Sequence, residues 1–518
     1  MKIKGLKQIA FVLAAAITAG SLISGCGKQA EKKNDGKSKA NVSMWMQLMP
    51  QVSYSYKNFG ETPIAQELQK RLNMDITFVH PTQGQENEQF NLMIASQDLP
   101  DILFTLSSRF KGGVTQAIED GVIIGLNDYI NEKKAPNLTK ILKEDKDVDR
   151  SIKLNDGTYC GYPAAAMDRS LRTFKGLIIR QDWLEKLGLP MPETIAEWEQ
   201  TLLAFKEQMG AEAPYTLLGT NEFAGAYDVA RMFYYDVDKK AISFGALESG
   251  YKDFITTMNK WYKLGLIDKE FATQNQTMAD AKVTNSQTGV ISAAAASGIN
   301  KYSVAMRDVE GVKWAGAPYP VLNKGNKPKY GQVSEKSSPQ FFITSACKDV
   351  ESALRFLDYG FSDEGHMLYN FGLEGISYNM VDGYPTYTED MTDNKDGIPM
   401  SNQLAKYVMS IYGGPFVQDK RYFEQYLKRD EQKEAIAKWF EVENSYDLPT
   451  LILTAEEGEA IATSLTDIST YWQETEYKLI MGKIDILEFN NCVAKLYDMG
   501  IENVLKIYND AYSRKMSK

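Results

Sequence analysis

Cysteine and histidine are scarce in this chain. Four cysteines occur in 518 residues, Cys26, Cys160, Cys347 and Cys492, beside two histidines, His80 and His366. No pair of cysteines has C-x-x-C spacing, which excludes the common structural zinc arrangements. A catalytic histidine would have to be His80 or His366, and both read as structural. There is no excess of positive charge either: 58 Lys and Arg stand against 68 Asp and Glu, a net charge of -10. A nucleic-acid partner would favour a basic face, so that class is excluded. Beyond the amino terminus no apolar run reaches the roughly 20 residues that a membrane-spanning helix requires. The G-x-S-x-G elbow, the phosphate-binding G-x-x-x-x-G-K-[ST] loop and H-E-x-x-H are all missing.

The amino terminus is the most informative stretch. Lys2, Lys4 and Lys7 precede an apolar segment from Ile9 to Ser24, too short for a permanent span and arranged as a secretory signal. It ends in Leu22-Ile23-Ser24-Gly25-Cys26, which resembles a bacterial lipobox. That resemblance implies a signal peptide over residues 1–25 and acylation of the Cys26 thiol, with enough buried CH₂ for stable anchoring. Residues 26–40 are rich in Lys, Gln and Asn without periodicity and read as a flexible tether. Cys160, Cys347 and Cys492 then read as packed thiols rather than a disulfide framework.

The following segments alternate. "NVSMWMQL" is strand-like, "TPIAQELQKRL" puts Ile64, Leu68 and Leu72 on one helical face, and "MDITFV" alternates again. "ENEQFNLMIAS" is helical and "PDILFTL" is a buried-type strand. Such a succession predicts an α/β domain with a largely parallel sheet. After residue 160 helical patterns dominate. Thr194 with Glu197 and Thr454 with Glu457 form capping boxes. The stripes behind them, through Trp198, Leu202 and Phe205 and through Ile461, Ile468 and Trp472, are core faces.

One acidic run resembles a calcium loop. Asp145, Asp147, Asp149 and Asp156 fall at ligand positions in "DKDVDRSIKLND", but Arg150 replaces the glycine and Lys153 occupies a ligand position. It reads as a solvated charge run. Aromatic residues are more suggestive, with 29 Tyr, 22 Phe and 7 Trp. Several stand beside glycine, proline or polar residues, among them Trp45, Tyr162, Trp314, Tyr319, Tyr378 and Tyr412. Their rings suit sugar faces in a cleft, and equally suit ordinary packing.

Five segments carry a resemblance to a known family. They are "SQDLPDILFT", "NDGTYCGYPAAA", "GLIIRQDWLEKLGLPMPETIAEWEQTLLAFKEQ", "ALRFLDYGFSDEGHMLYNFGLEGISYNMVDG" and "LPTLILTAEEGEAIATSLTDISTYWQETEYKLIMGK". In this order they resemble family 1 extracellular solute-binding proteins, the lipid-anchored receptors of carbohydrate ABC importers in Gram-positive bacteria. Some relatives follow the "LLAFK" helix with a calcium loop; "EQMGAEAPYTL" stands here instead, so no metal site is carried over.

The resemblance implies an α/β, two-lobed, periplasmic-binding-protein-like fold with a hinge and a helix-rich second lobe. Lobe one would hold about residues 41–161 and 317–362, and lobe two 162–316 and 363–518. The chain would cross near Gly161–Pro163, near Gly316–Pro320 and at or after Ser352–Phe361. Trp45 and Arg109 would face the solute from lobe one, with Tyr162, Asp168 and Arg169 at the first crossing. Trp314, Tyr319, Tyr378 and Tyr412 would come from later segments. The implied partners are an oligosaccharide or other small solute, ABC permease subunits and the membrane through its lipid anchor, with the protein a monomer needing no cofactor. A polysaccharide-cleaving lipoprotein enzyme and a non-transporting surface sensor are the alternatives.

Overall fold

Strand and helix alternate from the first described residues onward. The computed structural model describes residues 39–106, 109–216, 222–410 and 413–517. The signal segment, Cys26 and most of the tether therefore lie outside the described residues. Strands β1 (Ala40–Trp45) and β2 (Met74–Val79) pair in parallel, and β1 also pairs in parallel with β3 (Ile102–Phe104). The helix Pro63–Leu72 joins β1 to β2. Thr62 caps it by accepting the Ala65 N–H, and Asn73 ends it in the left-handed region at φ 45°. Its buried face is Ile64, Leu68 and Leu72, four residues apart. Burial of each aliphatic side chain contributes about 1.5–3 kcal/mol.

The chain leaves this sheet only after β4 (Tyr162–Ala165). It passes through residues 166–174 into a second sheet made of β5 (Lys175–Arg180), β6 (Tyr215–Thr216), β9 (Val290–Ala294) and β10 (Trp314–Gly316), in the order β10-β5-β9-β6. A side hairpin, β7 (Phe233–Asp236) with β8 (Ala241–Phe244), packs beside it. From β11 (Tyr330–Gly331) the chain returns through residues 332–336 to β12 (Ser337–Ile343). That strand runs antiparallel between β3 and β4 and completes the first sheet, β2-β1-β3-β12-β4. The two crossings thus fall after β4 and after β11, later than the glycine and proline signals at 161–163 and 316–320 suggest. The reason is that β4 finds its partner in β12, far away in sequence, and pairing rather than local composition decides where it belongs.

A third crossing follows Phe416, where Val417 bridges Ala165 in parallel register. Between them lie the helices Val350–Tyr359 and Asp363–Phe371 and the hairpin of β13 (Tyr378–Val381) with β14 (Tyr384–Tyr387). The helix Asp430–Trp439 then lies on β5 and β10 so closely that only glycine fits beneath it. A Cβ on Gly176 would sit 2.4 Å from the Trp439 ring, and one on Gly316 would sit 2.3 Å from the Ala435 Cβ. After β15 (Asn444–Ser445), which pairs with β11, the chain touches lobe one again. There the Ile452 and Leu453 carbonyls accept from Asn155 and Thr115.

The 26-residue helix Ala455–Ile480 then runs across lobe two. It is tied in by a buried bidentate pair: Arg231 Nε donates to Glu476 Oε1 at 2.8 Å, and Arg231 Nη2 donates to Oε2. Tyr251 donates to the same carboxylate and accepts from Trp472. With Phe489–Asp498 and Ile501–Met516 this helix makes the second lobe helix-rich.

Candidate functional site

In open α/β sheets ligands sit beyond the carboxyl ends of the strands. Here the carboxyl ends of β1, β2 and β3 and the start of β12 form one rim. The start of β5 and the ends of β6, β9 and β10 form the other, and the crossings run between them. Against the crossings lies a cavity of about 190 Å³ lined by Ala164–Ala166, Glu335–Ser338, Gly413, Gly414, Phe416 and Gln418. Lys336 on its wall pairs with Asp145 at 2.9 Å and Asp147 at 3.2 Å.

On the lobe-one rim, Thr105 turns the chain out of β3 with φ 61°, a left-handed conformation rarely taken by a β-branched residue. Such strain costs on the order of 1–3 kcal/mol and clusters at functional sites. Arg109 follows. Its guanidinium lies 5.7 Å from the centroid of the Trp45 ring and donates to Asn87, while Nε has no partner among the described residues. Trp45 itself is 3% exposed, packed edge-on against Phe90 beneath that guanidinium. Glu86 accepts from Gly84 and Gln47. The Gly84 N–H and, more weakly, the Arg109 charge hold its carboxyl below the ordinary value.

Asp168 and Arg169 stand in the first crossing. Asp168 Oδ1 accepts from the Ser170 N–H and hydroxyl at 2.9 and 2.7 Å, which starts the short turn Arg169–Leu171. The Ser170 hydroxyl does most to hold the Asp168 carboxyl below its ordinary value, with the Ser170 N–H and Lys420 adding to it. The Arg169 guanidinium lies 4.5 Å from the Phe440 ring centroid and donates to the Val442 carbonyl, tying the crossing to lobe two. Arg172 follows with an Nε lacking a partner among the described residues. Burial, then the Arg169 charge, lower it from its usual value.

The remaining predicted positions are enclosed. Tyr162 is 0% exposed in the lobe-one core, near Phe361, where burial pushes its phenol well up. Trp314 is 1% exposed between Tyr302 and Arg180. Tyr378 packs on Phe371 at the base of the β13–β14 hairpin. Tyr319 donates to the Lys175 carbonyl at 2.6 Å and accepts from the Gln332 N–H at 2.9 Å, so it clamps β5 to the second crossing. Tyr412 lies outside the described residues. The structure therefore brings Arg109, Asp168 and Arg169 to the rims and crossings, and puts Tyr162, Trp314 and Tyr378 into cores. Rings of this size contribute most when fully buried, and their turn-rich flanks do not report which way they point.

Sequence reasoning passed over Lys175, Glu222, Arg172, Lys336 and Asp447. Each is a single charged residue without a motif around it. The acidic run at 145–156 is spent elsewhere: Asp145 caps the helix Lys146–Ser151, and Asp149 pairs with Lys153 at 2.8 Å. Among the described residues no cluster of three or more Asp, Glu, His or Cys side chains could hold a metal ion.

Comparison with known proteins places these features in context. The pattern describing bacterial extracellular solute-binding proteins matches residues 60–367. Lipoprotein LipO of Bacillus subtilis is 24% identical over 95% of this chain and 96% of its own length. A polygalacturonan/rhamnogalacturonan-binding protein of the same organism, YtcQ, is 22% identical over 98% and 99%. Among solved structures, an EF-hand mutant of the Streptococcus pneumoniae ABC-transporter substrate-binding protein FusA, in complex with fructo-nystose, superposes with a TM-score of 0.74. It is 21% identical and covers 92% of this chain and 99% of its own.

Proposed function

Because the chain belongs to the family of bacterial extracellular solute-binding proteins, we propose that it is the substrate receptor of an ABC importer for an oligosaccharide. It works outside the cell, tethered through an acylated Cys26, and passes its solute to permease subunits. Binding involves no bond-making. The solute touches both rims and the crossings at once, and those contacts favour the closed arrangement of the lobes over the open one. Arg109 from lobe one and Asp168 and Arg169 from the first crossing supply the polar contacts, with the Trp45 ring supporting Arg109 from beneath.

The observation that carries this reading is a pair of sheets joined by connections at their strand ends, in a chain alike over nearly its whole length to receptors named for saccharides. Thermal melting against a broad panel of oligosaccharides tests it. A solute that binds only the native state adds about 2.7 kcal/mol at a hundredfold excess over Kd. A panel without any shift would sink the saccharide assignment, and shortened products after incubation would sink the reading of binding without chemistry.

A further inference from the structure

Lobe one, the start of β12 and the helix Ile501–Met516 of lobe two meet around a cavity of about 10 Å³, room for one water-sized particle. Arg150 and Lys153 line it from lobe one, Ser337 and Ser338 from β12, and Thr450 and Lys515 from the lobe-two side. Among the described residues no Asp or Glu stands in that lining, although the chain carries a net charge of -10. Arg150, Lys153 and Asn155 also line a wider cavity of about 450 Å³ that extends to the exposed Lys146, so the small cavity is reached from solvent.

What this lining offers is donors. Arg150 Nη2 lies 3.7 Å from Asp147, and Lys153 pairs with Asp149 at 2.8 Å. Lys515 donates to Glu335 at 2.7 Å and to the Thr450 carbonyl at 2.9 Å, which leaves the third N–H of its ammonium. Arg150 Nε is buried and has no hydrogen-bond partner among the described residues. Ser338 Oγ accepts from Gln340 Nε2 at 2.8 Å and keeps its own hydrogen to donate. The carbonyls of the wall are engaged, Thr450 by Lys515 and Ile452 by Asn155 at 3.1 Å.

A buried donor without an acceptor is unfavourable. A water would accept two of these bonds and would have to place two hydrogens of its own. Ser151 donates to the Val148 carbonyl, so Ser337 donates to Ser151 and offers a single acceptor in return. A small anion accepts from every donor and places no hydrogen. The size of the cavity admits a monatomic ion and excludes a sugar ring.

We propose that this cavity binds a halide ion, chloride or bromide, which fastens lobe one, the second crossing and lobe two to one another. Its donors come from all three parts, so the ion binds the native arrangement alone and stabilises it. The site is separate from the solute cleft and does not depend on the saccharide reading.

Two measurements on the full chain test it. Crystals grown with sodium bromide, measured at the bromine absorption edge, should show an anomalous peak beside Arg150 Nε. Thermal melting at constant ionic strength, with sodium chloride exchanged for the isethionate salt of a larger anion, should rise by about 1–2 °C once chloride is tenfold above Kd. That rise should fall to less than half in Arg150→Gln and in Ser338→Ala. A peak without any chloride dependence of melting is an adventitious ion only and overturns the proposal. Density at the site without anomalous signal overturns it too, as does an equal chloride dependence in all three proteins.

Discussion

His80 ties down the lobe-one rim as a neutral imidazole. Its Nε2 accepts the Phe59 N–H at 3.0 Å, so Nδ1 must carry the proton it shares with the Met46 carbonyl at 2.8 Å. Burial lowers the pKa from the ordinary value near 6.5, with the Met46 contact opposing. A depressed histidine pKa means that the unfolded chain takes up the proton first. The stabilisation is complete above about pH 6.5 and is lost as pH falls through the folded pKa. Melting temperatures of wild type and His80→Gln, followed from pH 7.5 to 5, should therefore converge as the solution becomes acid. Parallel curves would count against this role. Residue-scale legibility stops at orientation. That Trp45, Tyr162 and Trp314 occur near glycine or polar residues is visible in the sequence; that Trp45 lies under Arg109 while Tyr162 and Trp314 are walled in depends on partners in other elements, Phe361 beside Tyr162 and Arg180 beside Trp314 among them.

Elements were easier to read where the signal is local. The helices at Pro63–Leu72 and Ile195–Gln208 carry their caps in the sequence, and the strand Met74–Val79 alternates buried and exposed as its pattern indicates. The strands of the second sheet are harder to see. Between its charged ends Lys175 and Arg180 the strand is continuously apolar and buried on both faces, without the period that separates a strand from a short buried helix. The helix Ala455–Ile480 starts where the chain touches lobe one through Ile452 and Leu453. There Thr454 Oγ1 accepts from Glu457 N at 3.2 Å and Glu457 Oε2 accepts from Thr454 N at 2.9 Å. Thr454→Ala should cost about 1 kcal/mol, the usual worth of an N-cap. Hydrogen exchange should show the loss as faster exchange at Glu456–Gly458 with unchanged protection around Trp472. Equal exchange in both proteins would mean that packing against lobe one, rather than the cap, holds this end.

At the scale of the whole molecule, the proposed lipid anchor would set where the protein works, and the two lobes what it binds. Replacing Cys26 by Ala should release the protein into the medium with solute affinity unchanged, read by fractionation followed by titration of the released protein. Membrane retention of that variant would refute anchoring through Cys26. The two-lobed architecture was legible because several family-like segments recur in order, and solved structures of the same fold cover 92% of the chain. The positions of the crossings were not, since β4 joins the first sheet through pairing with β12.

Those crossings share one more property. Ser337 pairs with Ala165, and Val417 bridges Ala165, so three connections lie edge to edge as a short ribbon. A ribbon of hydrogen-bonded strands bends readily out of its plane and resists both shear within the plane and twist about its length. If the lobes hinge on such a ribbon, opening and closing would follow one axis, as a door does, and a bound solute would hold one position along it.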